Sequence, residues 1–531
     1  MTGSTTAVEA TIGDLLRLAA AATPDHVALV WATDDPGHRR RWTYAELLAD
    51  AEAIASWLLA RFQPGERVAV WAPSRPEWVQ LQLGAALGGL ILVPLNPAFR
   101  GPEAGYVLAQ SRVAGVVFQA DHRGHPIGRL LDQLAPELPE LRHLLPIEEL
   151  AAAHRTPAGG LPQVVPGDVA QIQYTSGTTG AAKGAVLLHR GFTATIRMAV
   201  ELMELGPNPV WLNVMPLFHI GGCGLSTIGP IALGGTHVLA ERFDPTVVLQ
   251  LIEQERATFF GSVPTMLMSL LGHAEFDRTD LSSLRVVLSG GAPVAPSLVR
   301  RIEEALGVRF LVAYGQTEAH GHVTQTRPGD SDIDKAETVG RPLPGIELRV
   351  VDPATGRVLP SDSVGELWVR SHMLMAGYFD KPAETAAAFG PDGWLRTGDL
   401  VSMDARGVVR FAGRVKEMII RGGENIHPPE IEELLMSHPA VAEAAVVGIP
   451  DAHWGEQVGA AVRLQPGASA TEADLAAFVG FRLAPHKVPR SWRFVDDLPH
   501  TASGKVQKFV LVDQWARIDH PDPSPAAEEA R

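Results

Sequence analysis

Two patterns of apolar and polar residues alternate along the first 340 positions of this chain. Segment 42–62 (WTYAELLADAEAIASWLLARF) places its apolar residues at helical spacing, and Thr43 with Glu46 forms a capping box at its start. The next run, 66–72 (ERVAVWA), is short and apolar, which predicts a buried strand. Similar runs recur at 114–120, 235–241, 284–291 and 308–315. This alternation predicts an α/β fold of layered parallel sheets, whose strand ends can meet a ligand.

The pattern changes near residue 340 and again after Arg414. Short alternating strands with Gly and Asp-Pro turns occupy 344–352, 365–371 and 407–414, which predicts a small β-barrel subdomain. The rest of the chain indicates helix, two strands and a helix at 472–483, in a compact α+β domain. We therefore predict four segments in chain order: a large domain 1–413, a hinge 414–416, a smaller mobile domain 417–515 and a disordered acidic tail 516–531.

Composition and charge exclude several classes of protein. The net charge of −15 disfavours sequence-independent binding to nucleic acid or anionic lipid, since both need a cationic surface. A single cysteine, Cys223, excludes an intrachain disulfide and a multi-thiolate zinc site. The N-terminus lacks a signal pattern, and the apolar run 83–95 is too short to cross a bilayer. These features predict a cytoplasmic enzyme without a transmembrane segment.

Segment 174–185 (YTSGTTGAAKGA) combines glycines, hydroxyl side chains and a lysine after a strand-like run. It lacks the spacing of a P-loop NTPase, because its glycines and Lys183 are three residues apart and no hydroxyl follows the lysine. Backbone N–H groups, hydroxyls and one ammonium nevertheless suit a polyphosphate, although a flexible surface loop has a similar composition. The predicted phosphate contacts are Thr175, Ser176, Gly177, Thr178, Thr179, Gly180 and Lys183.

This loop resembles the signature of the adenylate-forming superfamily, which includes acyl-CoA synthetases, peptide-synthetase adenylation domains and luciferases. The resemblance covers roughly residues 11 to 511. Six further blocks follow in the family's order: PLFH (216–219), SGGAP (289–293), AYGQTE (313–318), WLRTGDL (394–400), GRVKEMIIRGGENIHPPEIE (413–432) and LPHTASGKVQKF (498–509). Many relatives carry proline where this chain has Ala182, and its absence removes a fixed φ from the loop.

The resemblance assigns nucleotide contacts to three of these blocks. In AYGQTE, Tyr314 offers a ring for adenine, Thr317 a hydroxyl for phosphate and Glu318 a carboxylate for Mg²⁺, with Thr175 as a weaker second metal contact. Asp399 resembles the ribose-binding aspartate and Arg414 the ribose or phosphate arginine. The remaining predicted nucleotide contacts are Gly291, Ala292, Pro293, Gly315 and Gln316.

Catalysis is predicted to depend on Lys505, with contributions from Lys183, Thr317 and His219. Lys505 follows Ser-Gly, which permits a tight turn, whereas the alternative Lys508 does not. The resemblance makes Lys505 a mobile lysine that stabilises charge building between the carboxylate and the α-phosphate. It also places a hinge at Lys416, and Gly422 and Gly423 would leave room for a pantetheine arm.

The acyl pocket is predicted from the residue types beside His219. In the resembling family this position gates the pocket, although a lone histidine in an apolar stretch is as commonly a satisfied core residue. The predicted pocket residues are His219, Gly222, Gly290, Gly291 and Gly315. Amino-acid-activating relatives carry Phe-Asp where this chain has Phe218-His219, which disfavours an amino acid. Apolar walls favour a medium- or long-chain fatty acid, with aryl acids left open.

The predicted function is an AMP-forming acid–thiol ligase, most like the fatty acyl-CoA synthetases. ATP and Mg²⁺ would convert the acid to acyl-AMP with release of pyrophosphate, and coenzyme A would then accept the acyl group. The alternative is a fatty acyl-AMP ligase that loads the phosphopantetheine of an acyl carrier protein. A pseudoenzyme would typically lack Lys505 or Glu318, nothing specifies oxygen chemistry, and a homodimer is an open partner state.

Overall fold

The computed structural model describes residues 9–33, 37, 39–155, 159–175, 182–291, 294, 296–421, 424–451, 453–501 and 506–519. The chain divides into two compact units by its internal contacts. The first contains residues 1–348, 368–396 and 407–409, and the second contains 349–367, 397–406 and 410–531. The division predicted from the sequence, with a hinge at 414–416, differs from this grouping and stays a prediction.

Two sheets form the framework of the first unit, with strands numbered in chain order. The larger sheet has nine strands across its width: β15 (Arg341–Pro342), β14 (Thr324–Gln325), β13 (Arg309–Tyr314), β12 (Val286–Gly290), β11 (Phe259–Ser262), β9 (Val210–Asn213), β10 (Thr236–Ala240), β1 (Val27–Ala32) and β2 (Arg40–Thr43). The smaller has six: β6 (His143–Pro146), β5 (Gly115–Phe118), β3 (Arg67–Trp71), β4 (Ile91–Pro94), β7 (Val169–Thr175) and β8 (Lys183–Leu188).

Most neighbours in both sheets are parallel, as the alternating pattern predicts. Strands β13 to β1 of the larger sheet and β6 to β7 of the smaller run parallel, whereas β8 is antiparallel to β7. The five apolar runs become β3, β5, β10, β12 and β13. Every residue of β5 and β10 is buried, since parallel sheets are covered on both faces. The predicted fold class is confirmed.

Helices cover these sheets, and one of them, α2, begins with the predicted cap. Thr43 and Glu46 form a reciprocal capping box at the start of α2, which confirms that prediction. The helices of the first unit are α1 (Ile12–Ala22), α2 (Tyr44–Leu59), α3 (Pro76–Gly88), α4 (Gly101–Gln110), α5 (Ile127–Leu134), α6 (His189–Glu201), α7 (Ser226–Ala232), α8 (Pro245–Glu255), α9 (Pro264–Leu271), α10 (Pro296–Leu306), α11 (Asp332–Glu337) and α12 (Pro382–Ala388).

The long apolar run at 83–95 is divided between two elements. It contains the end of α3 and strand β4, and Gly89 separates them with a φ of 66°. Glycine adopts this left-handed conformation without steric cost. None of the helices in the described parts of the chain combines the length and apolar character needed to span a bilayer.

The predicted small β unit forms a separate sheet of four strands. Their order is β16 (Glu347–Val351), β17 (Gly365–Arg370), β18 (Leu395–Met403) and β19 (Val409–Arg414). Along β17 the residues alternate between buried and half-buried, which is the period-two pattern of a sheet with one covered face. The alternation read from the sequence therefore located β16, β17 and β19, whereas β18 was not predicted.

The C-terminal part of the second unit is an α+β sandwich with two clusters of buried apolar residues. Its sheet runs β21 (Glu424–Ile426), β20 (Ile419–Arg421), β23 (Gly455–Leu464) and β22 (Val441–Asp451), with β24 (Ser491–Phe494) also paired to β23. Helices α13 (Pro428–Met436) and α14 (Glu472–Gly480) contribute Ile431, Leu435, Leu475 and Val479 to one core cluster. Helix α15 (Lys508–Asp519) contributes Leu511 and Trp515 to another.

Of the histidines that the structure describes in the first unit, four are buried in its interior. Burial lowers the pKa of His189, His320 and His322 to about 4 and that of His237 to about 3. The His237 ring lies 3.1 Å from the Asn213 amide nitrogen, and the His322 ring lies 2.9 Å from the Gln325 amide oxygen. These rings are therefore held neutral, and protonation would place a charge in the core.

We predict that the first unit loses stability as pH falls from 7.5 to 5.5. Each unfolded histidine binds a proton below its ordinary pKa of 6.5, whereas the folded ring stays neutral down to about 4. Each of these histidines therefore lowers the free energy of unfolding by about 1.4 kcal/mol for every pH unit below 6.5. Urea unfolding at several pH values measures this slope.

A pair of variants identifies the groups responsible for this slope. His322→Gln should make the dependence on pH shallower, whereas His372→Gln, which alters an exposed histidine, should leave it unchanged. An unfolding free energy that is constant between pH 7.5 and 5.5 would contradict the prediction.

Candidate active site

The predicted phosphate loop is closed at its base by the antiparallel pair β7 and β8. Thr175 ends β7 and is the direct partner of Lys183, which begins β8. The Thr175 hydroxyl donates to the Lys183 carbonyl at 3.5 Å, and the Tyr106 hydroxyl donates to the Ala182 carbonyl at 2.9 Å. Two predicted contacts therefore lie side by side at the loop base. The others, Ser176, Gly177, Thr178, Thr179 and Gly180, lie outside the described residues.

A tight turn after β13 holds the predicted adenine and metal residues. Residues 317–319 form one 3₁₀ turn, and the Gly321 N–H donates to the Gln316 carbonyl at 2.9 Å. A Cβ at Gly315 would lie 2.3 Å from the Gly321 carbonyl oxygen, so this position requires glycine. The Tyr314 side chain is mostly buried. The turn thus fixes the backbone that carries Thr317 and Glu318.

Neighbouring strand ends bring the predicted glycines of two motifs together. Strands β12 and β13 are parallel partners, with Gly290 paired to Ala313. Gly291 and Gly315 each follow the end of one of these strands. The two motifs therefore share one edge of the larger sheet. Ala292 and Pro293, also predicted to bind the nucleotide, lie outside the described residues.

Tyr378 connects the loop base to Glu318, the predicted metal ligand, and it was not among the residues predicted from the sequence. Its hydroxyl donates to Glu318 Oε1 at 2.7 Å, and Lys183 Nζ lies 5.1 Å from its ring centroid. Burial, followed by the nearby Glu318 charge and this hydrogen bond, raises the pKa of Tyr378 above its ordinary value. The hydroxyl is therefore protonated at neutral pH and acts as a donor.

Backbone hydrogen bonds hold the segment that carries Tyr378. Val186 N–H donates to the Gly377 carbonyl at 2.9 Å, and Phe379 N–H donates to the Gly184 carbonyl at 2.8 Å. On the opposite side, Met375 N–H donates to the Glu318 carbonyl at 2.8 Å. Segment 375–379 thus joins strand β8 to the 317–319 turn.

The residues present fit a magnesium ion that is bound together with a nucleotide. Glu318 supplies hard carboxylate oxygens, and Oε2 has no hydrogen-bond partner among the residues the structure describes. The described residues contain no group of three or more His, Cys, Asp or Glu side chains that could hold a metal. Mg²⁺ commonly takes one or two protein carboxylates and completes its shell with phosphates and water. Glu318 near the loop base suits that mode.

The predicted acyl gate lies at the start of a single π-helical turn, 221–225. His219 Nδ1 accepts a hydrogen bond from the Gly221 N–H at 3.0 Å, and the ring is half-buried. A Cβ at Gly222 would lie 2.2 Å from the Pro216 carbonyl oxygen, so the chain passes itself too closely for any other residue. Such π turns are frequent at functional sites.

Three buried glutamines hold both ends of this segment, and none of them was predicted from the sequence. Gln173 donates to the Phe218 carbonyl and accepts from Gln171. Gln171 also donates to Cys223 Sγ at 3.4 Å, and Gln82 donates to the Cys223 carbonyl at 3.0 Å. Burial raises the pKa of the Cys223 thiol to about 12, which keeps it neutral. The backbone around His219 is therefore fixed by polar contacts inside an apolar region.

In the second unit, the two predicted ribose residues form an ion pair. Arg414 Nε lies 3.1 Å from Asp399 Oδ1, and the aspartate is buried while the arginine is half-buried. The Glu417 and Met418 N–H groups both donate to the Arg414 carbonyl, which places the predicted hinge residue Lys416 in a turn. Gly422 and Gly423 lie outside the described residues.

Lys508, the alternative catalytic lysine, is engaged in a structural ion-pair cluster. Its Nζ lies 2.7 Å from Glu432 Oε1 and 3.2 Å from Glu417 Oε2. Burial alone would lower the pKa of Lys508, but the Glu432 and Glu417 carboxylates raise it above its ordinary value. A lysine held by two carboxylates is poorly placed to serve a substrate. Lys505 lies outside the described residues, and its catalytic role stays a prediction.

Comparison with known families identifies the protein class. A model of the AMP-binding enzyme family matches residues 16–379, and a model of the AMP-binding enzyme C-terminal domain matches residues 430–505. The chain belongs to the AMP-binding enzyme family. This confirms that it is a member of the adenylate-forming superfamily and an acid–thiol ligase.

The similarity to other AMP-binding enzymes extends over nearly the whole chain. YngI of Bacillus subtilis, named as an acyl-CoA synthetase, is 37% identical and covers 95% of this chain and 97% of its own length. The human medium-chain acyl-CoA ligase ACSF2 is 34% identical over 96% of this chain and 88% of its own length. The ATP-bound crystal structure of MatB from Rhodopseudomonas palustris is 32% identical, with a TM-score of 0.87, and covers 95% of this chain and 99% of its own. Among AMP-binding enzymes, the chain is most like the acyl-CoA synthetases.

We predict that Lys508→Met destabilises the second unit by about 3–5 kcal/mol, because it leaves two carboxylates without their buried counter-charge. Lys487→Met is the matched control, since Lys487 lies 2.7 Å from the more exposed Glu430, and it should cost less than about 1 kcal/mol. Hydrogen exchange of α13 and β22 in the full chain measures both. Equal protection in the two variants would contradict the structural role of Lys508.

Proposed function

We propose that this AMP-binding enzyme activates a medium- or long-chain fatty acid to acyl-AMP and transfers the acyl group to coenzyme A. The observation that carries this proposal is the arrangement of four residues in the first unit. Thr175 and Lys183 are paired at the loop base, and Tyr378 joins Lys183 to the Glu318 carboxylate. A cation, a metal ligand and a glycine-rich loop in one place suit a nucleoside triphosphate.

In the first half-reaction, a carboxylate oxygen of the acid attacks the α-phosphorus of ATP. The bond to the oxygen that bridges the α- and β-phosphates breaks, and pyrophosphate leaves. Residues 175–183 would hold the β- and γ-phosphates, and Lys505 would stabilise the charge that builds at the α-phosphate. When bound, Mg²⁺ supplies positive charge that offsets the phosphate oxygens. Thr317 and Glu318 would orient these groups from the turn after β13.

In the second half-reaction, the thiolate sulfur of coenzyme A attacks the acyl carbonyl carbon and AMP leaves. Lys505 would have to withdraw from the side on which the thiol arrives. A hinge at Lys416 would allow that withdrawal, and Gly422 and Gly423 would leave room for the pantetheine arm. Asp399 and Arg414, already paired to each other, would bind the ribose hydroxyls through both steps.

The chemistry of the acyl side supports an unsubstituted aliphatic acid. Segments 218–232 and 259–271 contain no Asp, Glu, Lys or Arg, so neither offers a charge to a second carboxylate or an ammonium group. ACSF2, which is similar over nearly the whole chain, is named as a medium-chain ligase. A fatty acid of medium length is therefore the first substrate to test.

Carboxylate-dependent exchange of pyrophosphate into ATP tests the first half-reaction. We predict exchange with fatty acids in a panel that also contains aryl and amino acids. Lys505→Ala should reduce exchange to near background, yet largely spare acyl transfer from supplied acyl-AMP to coenzyme A. Equal loss of both steps would refute this division of labour, and faster exchange with aryl acids would overturn the acyl assignment.

A second measurement identifies the acyl acceptor. We expect thioester formation when free coenzyme A is added to the wild-type enzyme with ATP, Mg²⁺ and the preferred acid. Holo-acyl carrier protein at the same concentration serves as the comparison. Thioester formed with the carrier protein alone would replace our proposal by the acyl-AMP ligase alternative.

A further inference from the structure

Tyr378 contacts two groups of opposite charge, the Glu318 carboxylate and the Lys183 ammonium. In the proposed reaction, each of them binds a different part of the magnesium–ATP complex. The Tyr378 hydroxyl binds Glu318 Oε1 at 2.7 Å, while the Tyr378 ring lies 5.1 Å from Lys183 Nζ. Among the residues that the structure describes, Lys183 and Glu318 form no ion pair with each other. Each of these oppositely charged groups is therefore in contact with Tyr378 and is not paired with the other.

We propose that Tyr378 is a positioning residue that orients Glu318 toward magnesium and prevents its pairing with Lys183. This inference rests on the proposed function, because it assigns Glu318 to the metal and Lys183 to the phosphates of ATP. The hydroxyl occupies Oε1 and leaves Oε2 for the cation. The face of the ring supports the ammonium without taking its charge, since a cation–π contact neutralises nothing.

The position of Tyr378 is fixed independently of the two charges. Its own N–H donates to Thr385 Oγ1 at 2.9 Å, and the residue pairs with Ala185 of β8 as an isolated antiparallel bridge. A Cβ at Gly377 would lie 2.8 Å from the Thr385 side chain, so α12 packs closely against this segment. The backbone of Tyr378 is therefore held by contacts that do not depend on Glu318 or Lys183. Its side chain can orient these two groups.

Two substitutions separate the roles of the hydroxyl and the ring. Tyr378→Phe removes the bond to Glu318 and keeps the ring under Lys183, whereas Tyr378→Leu removes both. Tyr44→Phe is the matched control, since it deletes another buried hydroxyl, which donates to the Gly235 carbonyl at 2.8 Å. Thermal unfolding of all three variants reports whether each remains folded.

The decisive readout is binding of Mn²⁺, measured by electron paramagnetic resonance with a non-hydrolysable ATP analogue present. Tyr378→Phe should weaken Mn²⁺ binding about tenfold, the size expected for one hydrogen bond to a charged group, with little change in affinity for the analogue without metal. Tyr378→Leu should weaken both the binding of Mn²⁺ and the affinity for the analogue, because Lys183 then pairs with Glu318. Tyr44→Phe should match the wild type.

A double-mutant cycle tests whether the effect passes through Glu318. In a Glu318→Gln background, Tyr378→Phe should weaken Mn²⁺ binding no further, because the group it orients is no longer a carboxylate. In pyrophosphate exchange, Tyr378→Phe should raise the KM for Mg²⁺ while changing kcat at saturating metal by less than about threefold.

The outcomes distinguish this inference from the proposed function. Unchanged Mn²⁺ binding in Tyr378→Phe, with the wild type active in exchange, would overturn the positioning role alone. Equal, additive losses in the Glu318→Gln background would also overturn it. A wild type that exchanges no pyrophosphate with any acid would refute the proposed function, while Mn²⁺ binding would still decide the role of Tyr378.

Discussion

A site for a polyphosphate must keep opposite charges close together without allowing them to neutralise each other. A lysine and a carboxylate that pair directly are both lost to the ligand, because their attraction strengthens as water is excluded. In the first unit, the loop lysine contacts the ring of Tyr378 and the turn carboxylate accepts a hydrogen bond from its hydroxyl. Backbone hydrogen bonds from segment 375–379 to β8 and to the 317–319 turn hold Tyr378 in that position.

In the second unit, by contrast, oppositely charged side chains pair directly. Asp399 and Arg414 are paired, and Lys508 lies between Glu417 and Glu432. The two cases differ in exposure, since the Arg414 side chain is 42% exposed whereas that of Lys508 is 18% exposed. An ion pair with one partly exposed partner costs less to open than one that is largely enclosed on both sides. The pair at Arg414 is therefore easier to open than the cluster at Lys508.

Much of the fold could be predicted from local patterns in the sequence. Continuous apolar runs located β3, β5, β10, β12 and β13, because strands of a parallel sheet are buried on both faces. Thr43 and Glu46 located the start of α2, because the cap depends on residues three apart. The order of strands in each sheet could not be predicted, because pairings such as β9 with β11 join distant segments. The run at 83–95 shows the same limit, since periodicity alone did not separate its helix from its strand.

The candidate site was predictable where residues lie in continuous motifs. Four of the predicted residues belong to short blocks whose chemistry is evident from the sequence: Thr175, Lys183, Thr317 and Glu318. Tyr378 belongs to none of the blocks, and its importance follows from a contact with a residue 60 positions earlier. The glutamines around Cys223 escaped notice for a similar reason, since a polar residue in a strand has no evident partner until the fold supplies one.

The ion pairs of Lys508 also join three separate parts of the second unit. Lys508 begins α15, Glu432 lies in α13, and Glu417 follows Lys416. Both carboxylates hold the same ammonium group, so α15 cannot leave α13 without breaking a largely enclosed ion pair. A displacement of Glu417 would therefore carry α13 and α15 with it.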